Sequence, residues 1–242
     1  MFTRIILWLK RSPFADPWKV SQYERLAHTV TTHLMDARRV LDMGCGEGLF
    51  SSLIRRDIPD VELLVGMDLA EEATWGRPTY QMDYVVGDAS SPPFGSHSFD
   101  VVVTKDLLHH MDDPKEGIAA IVRLARLRVV IVEANLDNPI MAFYTRHNGD
   151  RHLSTSSFKK LLSEVAPDLE WELDSVTAYP FYLPPVRSIS ALWVWPLTGL
   201  MLLAFKLGRF QHLAVVLGDL LDKPRWAPPF NVAVANIAPR TT

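Results

Sequence analysis

The residues able to do chemistry recur at regular intervals. Asp42-Met43-Gly44-Cys45-Gly46-Glu47-Gly48 sets three glycines in five positions behind an acidic residue. Glycine lets the backbone approach a ligand that a Cβ would block. A helix start just beyond such a turn also offers unpaired N–H groups to negative charge. Asp68 follows Gly48 by 20 residues, and Asp88 follows Asp68 by another 20. A carboxylate at one strand end can accept both hydroxyl protons of a ribose, and one at the next can accept from an adenine amino group. Leu69 and Ala89, beside these aspartates, belong to the same expected ligand edge. A dinucleotide fingerprint would want a glycine where this chain has Leu49.

Histidines offer a second chemistry. His109 and His110 follow a strand-like run, while His147 and His152 lie in a polar loop, Tyr144 to His152. Imidazole changes charge near neutral pH, so any of the four could take the proton of a hydroxyl nucleophile. His110 lies beyond the strand edge and His152 opens a helix, which favours these two slightly. Adjacent histidines on a helical turn cannot face the same way, so one of His109 and His110 is expected in packing or at the surface. The loop reads equally as a lid or as a solvated cap for the next helix. The spacing of its histidines and Asp150 matches no metal-ligand pattern, so no metal is expected. Cys45 has no base beside it in sequence and is expected to pack under the glycine turn.

The elements that would hold these groups alternate. Val20 to Met35 reads as a helix, and strand-like runs follow at Arg39–Met43, Val61–Met67, Tyr84–Gly87, Phe99–Thr104 and Arg128–Glu133. Asp113 as N-cap, Pro114 at N1 and Glu116 at N3 start one helix. Ser154 starts another, with Phe158, Leu161, Leu162 and Val165 at helical spacing. Trp171–Tyr179 and Phe230–Ile237 read as two further strands. Nearly continuous apolar strands alternating with helices imply a mostly parallel sheet covered on both faces.

The turn and the fourth-strand run Ser98-Phe99-Asp100-Val101-Val102-Val103-Thr104-Lys105-Asp106-Leu107-Leu108-His109-His110 through Pro114 together resemble class I S-adenosylmethionine-dependent methyltransferases. The likeness, over residues 36–135, is to the small-molecule branch that includes the ubiquinone and menaquinone methyltransferases. It implies an α/β, Rossmann-like seven-stranded sheet in the order 3-2-1-4-5-7-6, with the last strand antiparallel. It also implies S-adenosyl-L-methionine as cofactor, held by Asp42, Gly44, Cys45, Gly46, Gly48, Asp68, Leu69, Asp88, Ala89 and Lys105. No Asn-Pro-Pro-Tyr-like tetrapeptide follows the fourth strand, where Lys105-Asp106-Leu107-Leu108 stands instead. Exocyclic amines and glutamine amides are therefore disfavoured as acceptors.

Residues 1–242 read as a single domain: an N-terminal helical segment (1–35), a core (36–179 and 230–242) and an apolar helical insertion (180–229). Within the insertion, Ser188 to Phe205 carries no charge, close to the length that spans a bilayer. Pro196, Gly199 and the need to return to the same sheet oppose a crossing, which leaves a roof over the site or a hairpin in the membrane interface. Trp193 and Trp195 with flanking Arg187, Lys206 and Arg209 suit the interface. The N-terminal run Phe2, Ile5, Ile6, Leu9 is a poor secretory signal and reads as a short amphipathic helix.

A hydrophobic content of 48% against 22% charged residues is ordinary for a folded domain. A net charge of −3 supplies no field for nucleic acid. One cysteine excludes an internal disulfide, so a cytoplasmic location, with peripheral membrane contact open, is expected. The expected function is methyl transfer to oxygen or carbon of a small, hydrophobic acceptor. The alternative is a cofactor-binding scaffold that docks a partner enzyme through the insertion.

Overall fold

Strand-forming runs rich in valine build the centre of the molecule. The computed structural model describes residues 23–24, 26–69, 82–138, 141–142, 145–146, 150–176 and 230–237. Seven strands form one sheet: β1 (Arg39–Met43), β2 (Leu63–Asp68), β3 (Asp83–Val86), β4 (Phe99–Lys105), β5 (Ala125–Ala134), β6 (Trp171–Val176) and β7 (Phe230–Asn236). Their order is β3-β2-β1-β4-β5-β7-β6, as expected from the sequence. All neighbours pair in parallel except β7, which runs antiparallel to both β5 and β6. The carboxyl ends of β1 to β6 therefore share one edge with the start of β7.

Side-chain alternation sorts each strand between two cores. Val40, Val101, Val103, Val130 and Val132 face the helical residues 26–31 and helix α1 (Leu49–Asp57). Leu41, Val102, Val129 and Ile131 face α2 (Pro114–Leu124) and α3 (Thr155–Val165). β4 is buried at every position, as a central strand covered on both sides must be. The expected caps are in place. The Asp113 carboxylate accepts from Lys115 N with Pro114 at N1, and the Ser154 hydroxyl accepts from Ser157 N.

β5 departs from its expected start. It begins at Ala125, directly after the last residue of α2, with no connecting loop. Arg126 explains the extension: its guanidinium donates twice to Asp100 Oδ1, at 2.9 and 2.6 Å. Asp100 Oδ2 accepts the backbone N–H of Arg38 and Arg39, tying the starts of β1, β4 and β5 together. Among the described residues, no helix is long and apolar enough to cross a membrane. The N-terminal apolar run, the insertion 180–229 and His147 lie outside the described residues.

Candidate active site

The glycine turn is held open by its backbone. Gly44, Gly46 and Gly48 all have positive φ, at 81°, 51° and 77°, a conformation that side-chain-bearing residues adopt at a cost. Gly44 N and Cys45 N donate to Met67 O, which fastens the turn to the end of β2. A Cβ on Gly44 would lie 2.9 Å from Leu107, whereas one on Gly46 would meet nothing within 4 Å. Gly46 thus borders open space. The buried Cys45 side chain lies where a Cβ on Gly66 would meet it at 2.8 Å, so it packs beneath the turn as expected.

Acidic groups ring this cradle. Asp42 is buried on the α1 face of β1, where its Oδ2 accepts from the Ser51 hydroxyl. Its Oδ1 has no hydrogen-bond partner. Burial pushes the Asp42 pKa up to about 6, partly offset by Ser51 and by Lys105. Asp68 ends β2 and accepts the Gly46 N–H at 2.7 Å and the Leu69 N–H at 2.8 Å. The Leu69 side chain is 71% exposed, and Val86 at the end of β3 is 55% exposed. Two apolar groups are thus exposed at adjoining strand ends. Asp88 stands exposed beyond β3, with Ala89 half-buried beside it, and its Oδ1 accepts both the N–H and the hydroxyl of Ser90. Those bonds hold the Asp88 pKa below its ordinary value.

The buried Lys105 ends β4, 4.2 Å from the Tyr23 ring centroid and paired to Asp106. Asp106 has φ 54°, the left-handed turn that takes the chain off the strand. Burial would raise its pKa, but the Lys105 ammonium together with His109 and His152 outweighs this and keeps it low. A 3₁₀ turn follows at Leu108–His110. Its two histidines differ in burial although their rings touch: His110 is exposed, and His109 is turned inward with a side chain only 6% exposed. His109 Nδ1–H donates to Glu133 Oε2 at 2.8 Å, while Glu133 Oε1 accepts the Leu108 N–H at 2.7 Å. Glu133 therefore clamps the turn to the end of β5.

His152 joins this pair. Its ring centroid is 4.0 Å from that of His109, which is itself 4.0 Å from that of His110. Three imidazoles thus adjoin one another at tilted angles of 47° and 56°, the middle one bonded to the buried Glu133 carboxylate. Burial alone would lower the His109 pKa, but the Glu133 carboxylate together with Asp106 and Asp150 outweighs that and raises it. Burial and the neighbouring His109 push His152 down to about 4 and also lower His110. Glu133 escapes the sequence reading because its partners lie 24 and 25 residues away and it looks like the last residue of an apolar strand.

The residues present fit S-adenosylmethionine: a cradle open at Gly46, a carboxylate at the second strand end and a buried carboxylate with one unbonded oxygen beneath the turn. A family model described as a methyltransferase domain matches residues 41–132, which span every one of these features. Over that stretch the chain is similar to a methyltransferase domain, and S-adenosylmethionine is the cofactor. Over 121 residues the chain is 28% identical to a ubiquinone/menaquinone biosynthesis C-methyltransferase of Desulfotalea psychrophila, covering 46% of this chain and 49% of that one. It is 29% identical over 99 residues to a ubiquinone biosynthesis O-methyltransferase of Vibrio cholerae, covering 37% and 38%. The chain thus spans under half the length of these curated relatives. Its fold is similar to that of a Thermotoga maritima S-adenosylmethionine-dependent methyltransferase, at 14% identity, TM-score 0.61 and coverage of 98% and 99%.

Proposed function

We infer that the protein transfers a methyl group from S-adenosylmethionine to oxygen or carbon of a small acceptor. One observation carries this reading: along a single sheet edge, an open glycine cradle and Asp68 adjoin a buried histidine cluster. Leu107 makes the join, since its side chain packs against Gly44 two residues before His109. The bound cofactor supplies an electrophilic methyl group on a sulfonium. The chain's own residues bind and align, which is most of what such a transfer requires. Asp68 presents its carboxylate to the ribose hydroxyls, and Asp42 sets negative charge beneath a cationic ligand. Leu69 and Val86 offer an apolar seat, and Asp88 and Ala89 border it. Lys105 brings a cation to the same edge.

The histidine cluster is the acceptor end in this reading. The similarity to both C- and O-methyltransferases of quinone biosynthesis supports a small organic acceptor. The uncharged run Ser188 to Phe205, attached through β6 and β7 to the same edge, supports an apolar one. The test is transfer of a labelled methyl group from the cofactor to a lipid extract, read beside cofactor affinity. Gly46→Val should cost about 1–2 kcal/mol of stability from its positive φ and abolish cofactor binding, because the new side chain fills the cradle. Asp68→Ala should weaken binding by on the order of 1–3 kcal/mol. A folded Gly46→Val variant that binds normally would show that the cradle lies elsewhere.

A further inference from the structure

We propose that His109, Glu133 and His152 form a binding site for a divalent transition-metal ion. One donor atom from each lies within 4.8 Å of those of the other two. Their side chains are only 6%, 5% and 7% exposed, so the three donors converge away from bulk water. Donors on one tetrahedral ion, each about 2.0–2.2 Å from it, sit roughly 3.3 Å apart. The 2.8 Å His109–Glu133 pair would open slightly, and the wider separations would close by up to about 1.5 Å.

A purely structural role does not account for His152. Glu133 is complete as a clamp, with Leu108 N–H on one oxygen and His109 on the other. Yet His152 is packed ring to ring against His109, and its Nδ1 is buried with no hydrogen-bond partner. Its Nε2 faces Asp150 Oδ2 only at 3.9 Å. Buried polar atoms are almost always bonded, so such an atom marks a missing partner. Asp106 borders the cluster with a buried Oδ1 that also lacks a hydrogen bond. Three separate segments supply the donors, which is why no spacing in the sequence reveals the site.

Two imidazoles and one carboxylate select zinc, cobalt, manganese or iron over magnesium or calcium, which prefer all-oxygen sites. Three protein donors leave at least one position open, as in catalytic rather than structural sites. Resting on the methyl-transfer reading above, the acceptor class becomes an oxygen donor, such as a phenol or enol, able to occupy that position.

The full chain is stripped with chelator and titrated with Co²⁺, followed by its visible absorption, and with Zn²⁺ by calorimetry. One equivalent should bind. His152→Ala and Glu133→Gln should each weaken binding by more than the roughly 10–100-fold that loss of an outer partner costs. His28→Ala, an exposed histidine on another element, should leave it unchanged. Cofactor affinity, measured in each variant, reports an intact fold. No uptake by the wild type, or uptake that survives both substitutions, overturns the site. Metal uptake without cofactor binding would instead overturn the methyl-transfer reading and leave the metal site standing.

Discussion

Asp42 combines three properties that rarely coincide: full burial, an unpaired oxygen and a pKa of about 6. Its folded-state pKa lies above the ordinary value of 3.8, so the folded protein binds more protons than the unfolded chain between about pH 4 and 6. Stability is therefore lost as pH rises through that window, and the deficit stays constant above it. A shift of about two units corresponds to on the order of 3 kcal/mol. Asp42→Asn keeps an acceptor for Ser51 and removes the buried charge. It should be more stable than the wild type at pH 7.5 by up to that amount, with the gap closing near pH 4. The same variant should bind cofactor more weakly, since the anion beneath the glycine turn is gone. Denaturant titrations at the two pH values, with calorimetry alongside, check both halves; a variant no more stable at pH 7.5 would refute the strained-anion account. At this scale the sequence was legible where chemistry is local. Asp42, the three glycines and Asp68 are recognisable from spacing because consecutive strand ends bring them together. Glu133 was not legible, because its significance depends on a turn that reaches it across β4 and β5.

Strand β5 shows what decides the limits of an element. Apolar periodicity places its start at Arg128, yet pairing begins at Ala125 because Arg126 reaches the buried Asp100 of the neighbouring strand. An ion pair between residues 26 apart leaves no trace in local hydrophobicity. The helix starts, in contrast, were readable in full, since Asp113 and Ser154 act within three residues of themselves. Asp100 accepts four hydrogen bonds across three strands. Burial would push its pKa up, but the Arg38 N–H and the Arg126 guanidinium outweigh burial and hold it below the ordinary value. Its contribution is fully present above about pH 4 and is lost as pH falls through the depressed pKa. Asp100→Asn leaves the Arg126 guanidinium without its anion and should cost about 1–3 kcal/mol at pH 7. Wild type and variant should converge in strongly acidic solution. Urea midpoints at pH 7 and pH 3 measure this, and an unchanged midpoint at pH 7 would remove Asp100 from the forces joining these strands.

The whole molecule is closed by its last strand. β7 lies between β5 and β6, pairing Ala134 with Phe230 at one end and Arg128 with Asn236 at the other. Val176, the last residue of β6, pairs with Phe230, the first of β7. The described chain before and after residues 177–229 therefore meets at one rung, on the edge that carries the glycine turn and the histidine cluster. Closing a chain segment costs free energy that grows only with the logarithm of its length, about 0.6 kcal/mol per doubling. Replacing 177–229 with a Gly/Ser linker a quarter as long should change closure by only about 1 kcal/mol. The shortened protein is expected to fold and to bind cofactor within a few-fold of the full chain, while losing transfer to its own acceptor. Undiminished transfer would show that the segment takes no part in acceptor choice. The pairing of Val176 with Phe230 has a consequence for descent as well. Insertions, deletions or wholesale exchange between Val176 and Phe230 leave the strand pairings among the described residues, and Gly46, Asp68 and Asp88, in place. The fold can thus inherit its cofactor chemistry unchanged while its substrate repertoire is rewritten, one interchangeable cassette at a time.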